Sequence, residues 1–197
     1  GSVYGECPII PTPENAPFPI QTSLYGTSKV AGEGLIQADC EGYNMQAWIF
    51  RFVSILGERY SHGHVFDFCK QLTQHPEYLN VLGDGTQTKS YLNVKDCINA
   101  IFTAINKSNE KVNIFNLGTD ECIEVMGSIN TIGYHLELSP KLIYSGGKRG
   151  WIGDNPFILL DTQKIRSLGW KPIYTIRESI VETVDYLKQN QWLLEIK

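Results

Sequence analysis

The chain has 197 residues, 42% of them hydrophobic and 19% charged, with a formal net charge of −4. That balance fits one globular domain or an uneven pair and excludes a disordered chain, and the charge leaves no basic footprint for nucleic acid. No apolar run approaches the roughly 20 residues that span a bilayer, and the N-terminus shows no charged segment leading into an apolar one, so no membrane partner and no signal peptide are expected.

The proline-rich opening (Pro8, Pro11, Pro13, Pro17, Pro19) reads as an ordered loop. A helix is predicted from about Tyr25 to Glu41, weakened by Gly32, Gly34 and Gly42, which permit close packing against a neighbour. Met45–Leu56 is nearly continuously apolar, as in a buried strand of a parallel sheet. Val65–Gln74 reads as a short helix, Tyr78–Leu82 as a strand, Gly83-Asp84-Gly85 as a turn and Tyr91–Val94 as a strand. Val94, Cys97, Ile98, Ile101, Phe102 and Ile105 recur at helical spacing. Val112–Leu117 and Leu142–Tyr144 are strand-like, and Ser128–Leu136 is helical. Gly146–Pro156 is a loop rich in Gly, Lys, Arg and Trp, Asp161 caps a short helix closed by Gly169, and Thr175 with Glu178 forms a capping box for the last helix. Strands alternating with helices give an α/β class.

Cysteines stand at positions 7, 40, 69, 97 and 122. An odd count without CxxC fits reduced thiols in a cytoplasmic protein. His62, His64 and Cys69 have metal-ligand chemistry, but no complete ligand set accompanies them, and a solvated loop is the better reading.

The chemistry centres on Tyr25 and Lys29, which a helix puts on one face. An ammonium beside a phenol favours the phenolate, so a tyrosine in that setting can act as a general base near neutral pH. Alone, YxxxK is common by chance and equally describes a surface helix pair; its context strengthens it.

Val3-Tyr4-Gly5, Pro11, Pro13-Glu14 and Leu24-Tyr25-Gly26-Thr27-Ser28-Lys29, in that order, resemble the extended short-chain dehydrogenase/reductase family of NAD-dependent sugar-nucleotide epimerases, dehydratases and decarboxylases, in its UDP-glucose 4-epimerase-like form. The order continues through Phe50–Gly57, similar to a strand ending in R-x-x-N-x-x-G, and through Leu82–Tyr91, Val94-Lys95-Asp96, Asn113–Gly118, Gly153-Asp154 and Leu168–Pro172. The resemblance implies a partial Rossmann fold, a parallel sheet with helices, plus a smaller α/β substrate-binding subdomain. Residues 1–60 would be the remainder of the Rossmann domain with the YxxxK helix, and 61–197 mainly the nucleotide-sugar subdomain, with 91–118 returning to the Rossmann part. By this resemblance it would be the C-terminal part of such an enzyme, lacking the GxxGxxG half: no strand, glycine turn and helix that would receive the NAD pyrophosphate precede Tyr25, and the family's catalytic Ser or Thr would fall just before Gly1.

By the same resemblance, Tyr25 would take the proton from the sugar hydroxyl, Lys29 would hold the nicotinamide ribose, and Phe52 would lie near the nicotinamide. Ser54 would stand at the usual asparagine position, Asn80, Val81 and Leu82 would flank the base, and Val65 would lie by the ribose and phosphates. Lys89 would meet the diphosphate where the family has arginine, keeping the charge without the bidentate fork. Arg149 would take over a phosphate contact, Asp154 belongs to the Gly-Asp signature, and Ile158 would limit bulk at C2 of the sugar. The structural alternatives are core burial for Phe52 and Leu82, a surface role for Lys89 and an exposed cation-π pair for Arg149 and Trp151.

The expected function is an NAD-dependent sugar-nucleotide 4-epimerase on a UDP-sugar, incomplete and inactive as this chain alone. The alternatives are a 4,6-dehydratase or decarboxylase, or a non-catalytic sugar-nucleotide-binding module. Dehydratases usually carry glutamate two residues before the tyrosine of Val-Tyr-Gly; Ser2 stands there and, where it is the natural residue, argues for an epimerase. A homodimer built on the YxxxK helix is implied, with Val30, Leu35 and Ile36 as apolar contacts.

Overall fold

The computed structural model describes residues 1–18, 21, 23–147 and 157–195. Seven α-helices and eight strands occur among them: α1 (Leu24–Tyr43), β1 (Ala47–Phe52), β2 (Ser54–Leu56), α2 (His64–Gln74), β3 (Tyr78–Val81), β4 (Thr88–Lys89), β5 (Tyr91–Asn93), α3 (Val94–Lys107), β6 (Val112–Leu117), β7 (Ile123–Glu124), α4 (Val125–Leu136), β8 (Lys141–Tyr144), α5 (Gln163–Ser167), α6 (Ile176–Gln189) and α7 (Trp192–Glu195). No described helix is long and apolar enough to cross a membrane.

The strands pair in parallel as β1 with β6, β2 with β5 and β3 with β8, and only β4 with β7 is antiparallel. The apolar run Met45–Leu56 is therefore two strands rather than one. Ala47–Phe52 runs against Val112–Leu117, and past Val53 the chain changes partner, aligning Ser54 with Tyr91. The change carries the chain from one apolar core to another. The first core gathers Tyr4, Val53, Leu92, Leu117, Leu160 and Trp170. The second gathers Leu56, Val65, Leu79, Ile132, Ile180 and Leu187. Each fully buried Leu or Ile contributes about 1.5–3 kcal/mol relative to exposure.

Local chemistry sets the helix ends. Ser23 Oγ accepts the Gly26 amide at the start of α1, and Asn44 ends that helix in a left-handed turn at φ 54°. Asn93 caps α3 by accepting the Lys95 amide at 2.9 Å. Asp161 accepts the Gln163 amide at 2.8 Å as α5 begins. The predicted capping box is formed: Glu178 N–H donates to Thr175 Oγ1 at 3.2 Å, and Thr175 N–H to Glu178 Oε2 at 2.8 Å. Behind it, Ile176, Ile180, Val184 and Leu187 line the buried face of α6.

In α3 the periodicity identifies the helix, but its largest apolar residues do not form the inner face. Ile98, Phe102 and Ile105 are exposed, while Cys97, Ala100 and Ala104 face the sheet. Small residues let this helix lie close to the strands beneath it.

Several signature residues converge on one buried polar network. Arg51 of β1 donates to both carboxylate oxygens of Glu33 on α1, at 3.0 and 3.1 Å from Nε and 2.6 Å from Nη2. Its Nη1 donates to Tyr4 Oη at 2.8 Å and to the Glu14 carbonyl at 2.9 Å. Tyr4 Oη donates to Asn116 Oδ1 at 2.8 Å, and the Asn116 amide donates to Glu14 Oε1 at 2.9 Å. The Asn116 side chain closes the network on the carbonyls of Thr12 and Asp161. Burial raises the Tyr4 phenol above its ordinary value, which keeps its proton available to Asn116.

Candidate active site

Ligands of open parallel α/β sheets bind at the C-terminal ends of the strands, and some of the predicted site residues stand at strand ends or helix starts. Tyr25 and Lys29 lie on the first turns of α1, both exposed, with Lys29 Nζ 5.1 Å from the centroid of the Tyr25 ring. Phe52 ends β1 and is 42% exposed, and Leu82 is 62% exposed, so neither is a core residue. Ser54 is exposed at the start of β2 beside Tyr91 of β5. Ile158 touches Gly1, whose nitrogen donates to the Phe52 carbonyl, so Ile158 sits at the same strand end as Phe52.

A second group surrounds the start of α2. His64 Nδ1 lies 2.7 Å from Tyr91 Oη, and Lys89 of β4 stands close enough for its charge to act on the imidazole. Burial, reinforced by Lys89, lowers the His64 pKa to about 4, so the ring is neutral near pH 7. The first intrahelical bond of α2 runs from Asp67 N–H to the Gly63 carbonyl. The amides of His64, Val65 and Phe66 therefore precede it and point out of the helix start. The Val65 side chain is fully buried, so what it can offer a ligand is this amide. His64 and Tyr91 were not singled out from sequence for this site. The available signal was a histidine opening an amphipathic helix after Gly63, together with the aromatic residue that follows Lys89-Ser90.

The base-flanking trio divides. The Asn80 backbone and side-chain amides both donate to Gln71 Oε1, at 3.0 and 3.2 Å. Val81 is buried in the second core, with its carbonyl accepting from Ser145. Only Leu82 projects outward. The turn after it depends on Gly83 at φ +82°: the Gln87 side chain lies across this residue and donates to the Leu82 carbonyl at 3.2 Å, and a Cβ on Gly83 would stand 1.6 Å from Gln87 Nε2. This packing explains the glycine and glutamine of the Gly-Asp-Gly-x-Gln segment. Among the described residues, buried Gln87 Oε1, Ser90 Oγ, His64 Nε2 and Ser128 Oγ have no hydrogen-bond partner; Gln87 and Ser90 lie beside Lys89 in the sequence.

Arg149, Trp151, Gly153 and Asp154 lie outside the described residues. Gly147, Gly150 and Gly153 reproduce a GxxGxxG spacing. A dinucleotide turn also needs a helix opening at that turn, and the next described helix, α5, begins at Gln163. All five cysteines are free, four of them buried, and among the described residues no group of three or more potential metal ligands gathers.

The family model for the NAD dependent epimerase/dehydratase family matches residues 1–118, more than half of the chain. The chain belongs to this family. A Methanocaldococcus jannaschii protein, provisionally named a UDP-glucose 4-epimerase, is 32% identical over 195 residues, covering 96% of this chain and 61% of its own length. A mouse dTDP-D-glucose 4,6-dehydratase is 27% identical over 176 residues, covering 86% of this chain and 48% of its own. Among solved structures, a UDP-galactose 4-epimerase superimposes with a TM-score of 0.87 at 29% identity, covering 98% of this chain and 62% of that one. The fold is thus that of the Rossmann-type epimerases, and the chain spans about half to three-fifths of the length of these relatives.

Proposed function

We propose that the protein containing this chain is an NAD-dependent 4-epimerase of a nucleoside-diphosphate sugar, a UDP-sugar foremost. The observation that carries this reading is that Tyr25 and Lys29 share one exposed face of α1, whose Gly26 lies against the Ser2 carbonyl, while neighbouring Gly1 meets Ile158 and the carbonyl of Phe52 at the end of β1. The residues fit the nicotinamide-ribose end of NAD: a phenol and an ammonium one helical turn apart, with an exposed aromatic ring at the end of β1. When bound, NAD supplies a hydride acceptor. Tyr25 takes the proton from the sugar hydroxyl at the reacting carbon and later returns it, and Lys29 holds the ribose hydroxyls. Lys89, with the amides that open α2, meets the diphosphate, where a fixed positive charge and unpaired N–H groups favour an anion. Ser54 hydrogen-bonds the sugar, Leu82 packs on the base, and Ile158 bounds the sugar pocket.

The division into two cores supports assigning one to the dinucleotide-binding part and the other to the nucleotide-sugar part. The first core also draws in Leu160, Ile165 and Trp170, so the chain returns to it after residue 118. A dehydratase reading draws on the mouse relative. Against it stands Ser2, where that chemistry would have a carboxylate. A homodimer through α1 is supported by exposed Leu35 and Ile36 and by the open space around Gly32 and Gly34. Val30 is partly buried against the first core and would offer it less surface.

The test is Tyr25→Phe in the full-length protein, assayed for interconversion of UDP-glucose and UDP-galactose and of their N-acetyl analogues. Turnover is expected to fall by about 10²–10⁴ with substrate binding retained. Wild-type turnover overturns the reading.

A further inference from the structure

Among the described residues, the helix that carries Tyr25 and Lys29 is held at few buried positions. Of its residues only Gly26, Glu33 and Cys40 are buried, and a Cβ at Gly32, Gly34 or Gly42 would meet nothing within 4 Å. Glu33 lies one helical turn beyond Lys29 and two beyond Tyr25, on the same edge. It is the one buried charged side chain of α1, and its carboxylate receives three hydrogen bonds from Arg51. Arg51 in turn is the residue before Phe52 on β1 and is buried to 5% exposure, with its guanidinium 5.0 Å from the ring centroids of both Tyr4 and Phe18.

A buried ion pair is weak evidence for stability, because desolvating two charges offsets most of their attraction and apolar replacements of similar volume are often neutral or better. A guanidinium fork closed on a carboxylate supplies direction instead: it fixes distance and rotation in a way that apolar contact does not. Here the fork is itself held, because Tyr4 and the Glu14 carbonyl take its remaining Nη1 donors and Asn116 anchors both partners.

We propose that Arg51 and Glu33, braced by Tyr4, are positioning residues that set the axial register of α1 against the end of β1, and so the placement of Tyr25 and Lys29 relative to Phe52 and Ser54. This rests on the functional reading above. The pair touches neither substrate nor cofactor. It acts through Tyr25, in a class of reaction where misplacing a group by about 1 Å costs on the order of a hundredfold in rate.

The experiment compares Glu33→Asp, Glu33→Gln and Arg51→Lys in the full-length protein, with steady-state kinetics on UDP-glucose and thermal unfolding of each variant. Glu33→Asp keeps the charge but shortens the arm, and Glu33→Gln keeps the arm but loses the charge. Register control predicts a kcat loss of at least about tenfold for Glu33→Asp and Arg51→Lys, a smaller loss for Glu33→Gln, and a KM within about threefold of wild type, because the diphosphate subsite is untouched. A purely structural pair would lower the unfolding midpoint and leave kcat of the folded enzyme unchanged; that result overturns the proposal, as does a loss carried equally by KM. If the charged variants do not fold, Tyr4→Phe removes one brace alone: a several-fold fall in kcat at constant KM supports the proposal, and wild-type kcat overturns it. Tyr25→Phe run alongside separates the two levels. If Tyr25→Phe is inactive while Glu33→Asp turns over at the wild-type rate, only the clamp fails; a fully active Tyr25→Phe enzyme removes the functional reading and the clamp together.

Discussion

Gly26 lies against the carbonyl oxygen of Ser2: a Cβ built on Gly26 would stand 2.9 Å from that oxygen and 2.7 Å from Gln21 Oε1. The Ser2 oxygen is backbone and cannot swing aside, and Gln21 is tied to the Val3 carbonyl at 2.9 Å. The residue next to Tyr25 is therefore glycine for want of space, not for backbone conformation. Gly26→Ala should push the first turn of α1 outward and destabilise by about 1–3 kcal/mol, as overpacking does. Chemical denaturation checks this; an unchanged midpoint would show that the turn yields freely.

Asp96 joins two segments far apart in the chain. Its Oδ2 accepts the amides of Ile173 and Tyr174, each at 3.0 Å, and its carbonyl accepts from Trp170 Nε1 at 3.3 Å. Asp96→Ala would leave both amides without this acceptor and should cost on the order of 2–4 kcal/mol. Urea unfolding with an unchanged m-value would confirm that the loss lies in the native state, and a loss below about 1 kcal/mol would show that water replaces the carboxylate.

Much of this fold was legible in the sequence and some of its chemistry was not, for a physical reason. Periodicity and caps are local, so α3, α6 and the Thr175–Glu178 box could be read directly. The face that α3 buries could not, because apolar spacing marks the large residues Ile98 and Phe102, while close approach to the sheet selects Ala100 and Ala104. Tyr25 and Lys29 are neighbours on one helix and were visible. The Arg51 network joins residues from the chain's opening turn to its later strands and loops, and left one trace: an arginine inside an otherwise apolar strand, which had to find a buried counter-ion. His64 and Tyr91 meet only because β5 passes the start of α2.

His64 gives the fold an acid limit. Its native pKa is lowered to about 4 from the ordinary 6.5, with burial the main cause and Lys89 the second. Between those values the unfolded chain binds a proton that the native chain does not. Stability should therefore rise with pH across this window and fall as pH drops from about 6.5 toward 4, by on the order of 2–3 kcal/mol in all. His64→Gln should flatten that part of the profile in urea unfolding from pH 4 to 7. An identical slope in the variant would place the titration elsewhere.

Lys89→Ala should weaken binding of UDP to the full-length protein by about 1.5–3 kcal/mol, the range for a hydrogen bond to a charged group, and Arg149→Ala should act in the same direction. Calorimetry with UDP, and with uridine as a control, isolates the phosphate contribution. Uridine affinity should not change, and unchanged UDP affinity in both variants would remove these residues from the diphosphate site.

The 197-residue chain by itself should bind NAD weakly. Dinucleotide affinity in Rossmann proteins comes largely from a glycine turn and a helix start that receive the pyrophosphate, and the residues proposed above for NAD, Tyr25, Lys29 and Phe52, would reach only its nicotinamide end. Two hydrogen-bonding side chains and one ring do not offset the ordering cost of a flexible dinucleotide. Titration with NAD should give a dissociation constant above the micromolar range; micromolar binding by a monomer would show that these residues hold the cofactor without further help.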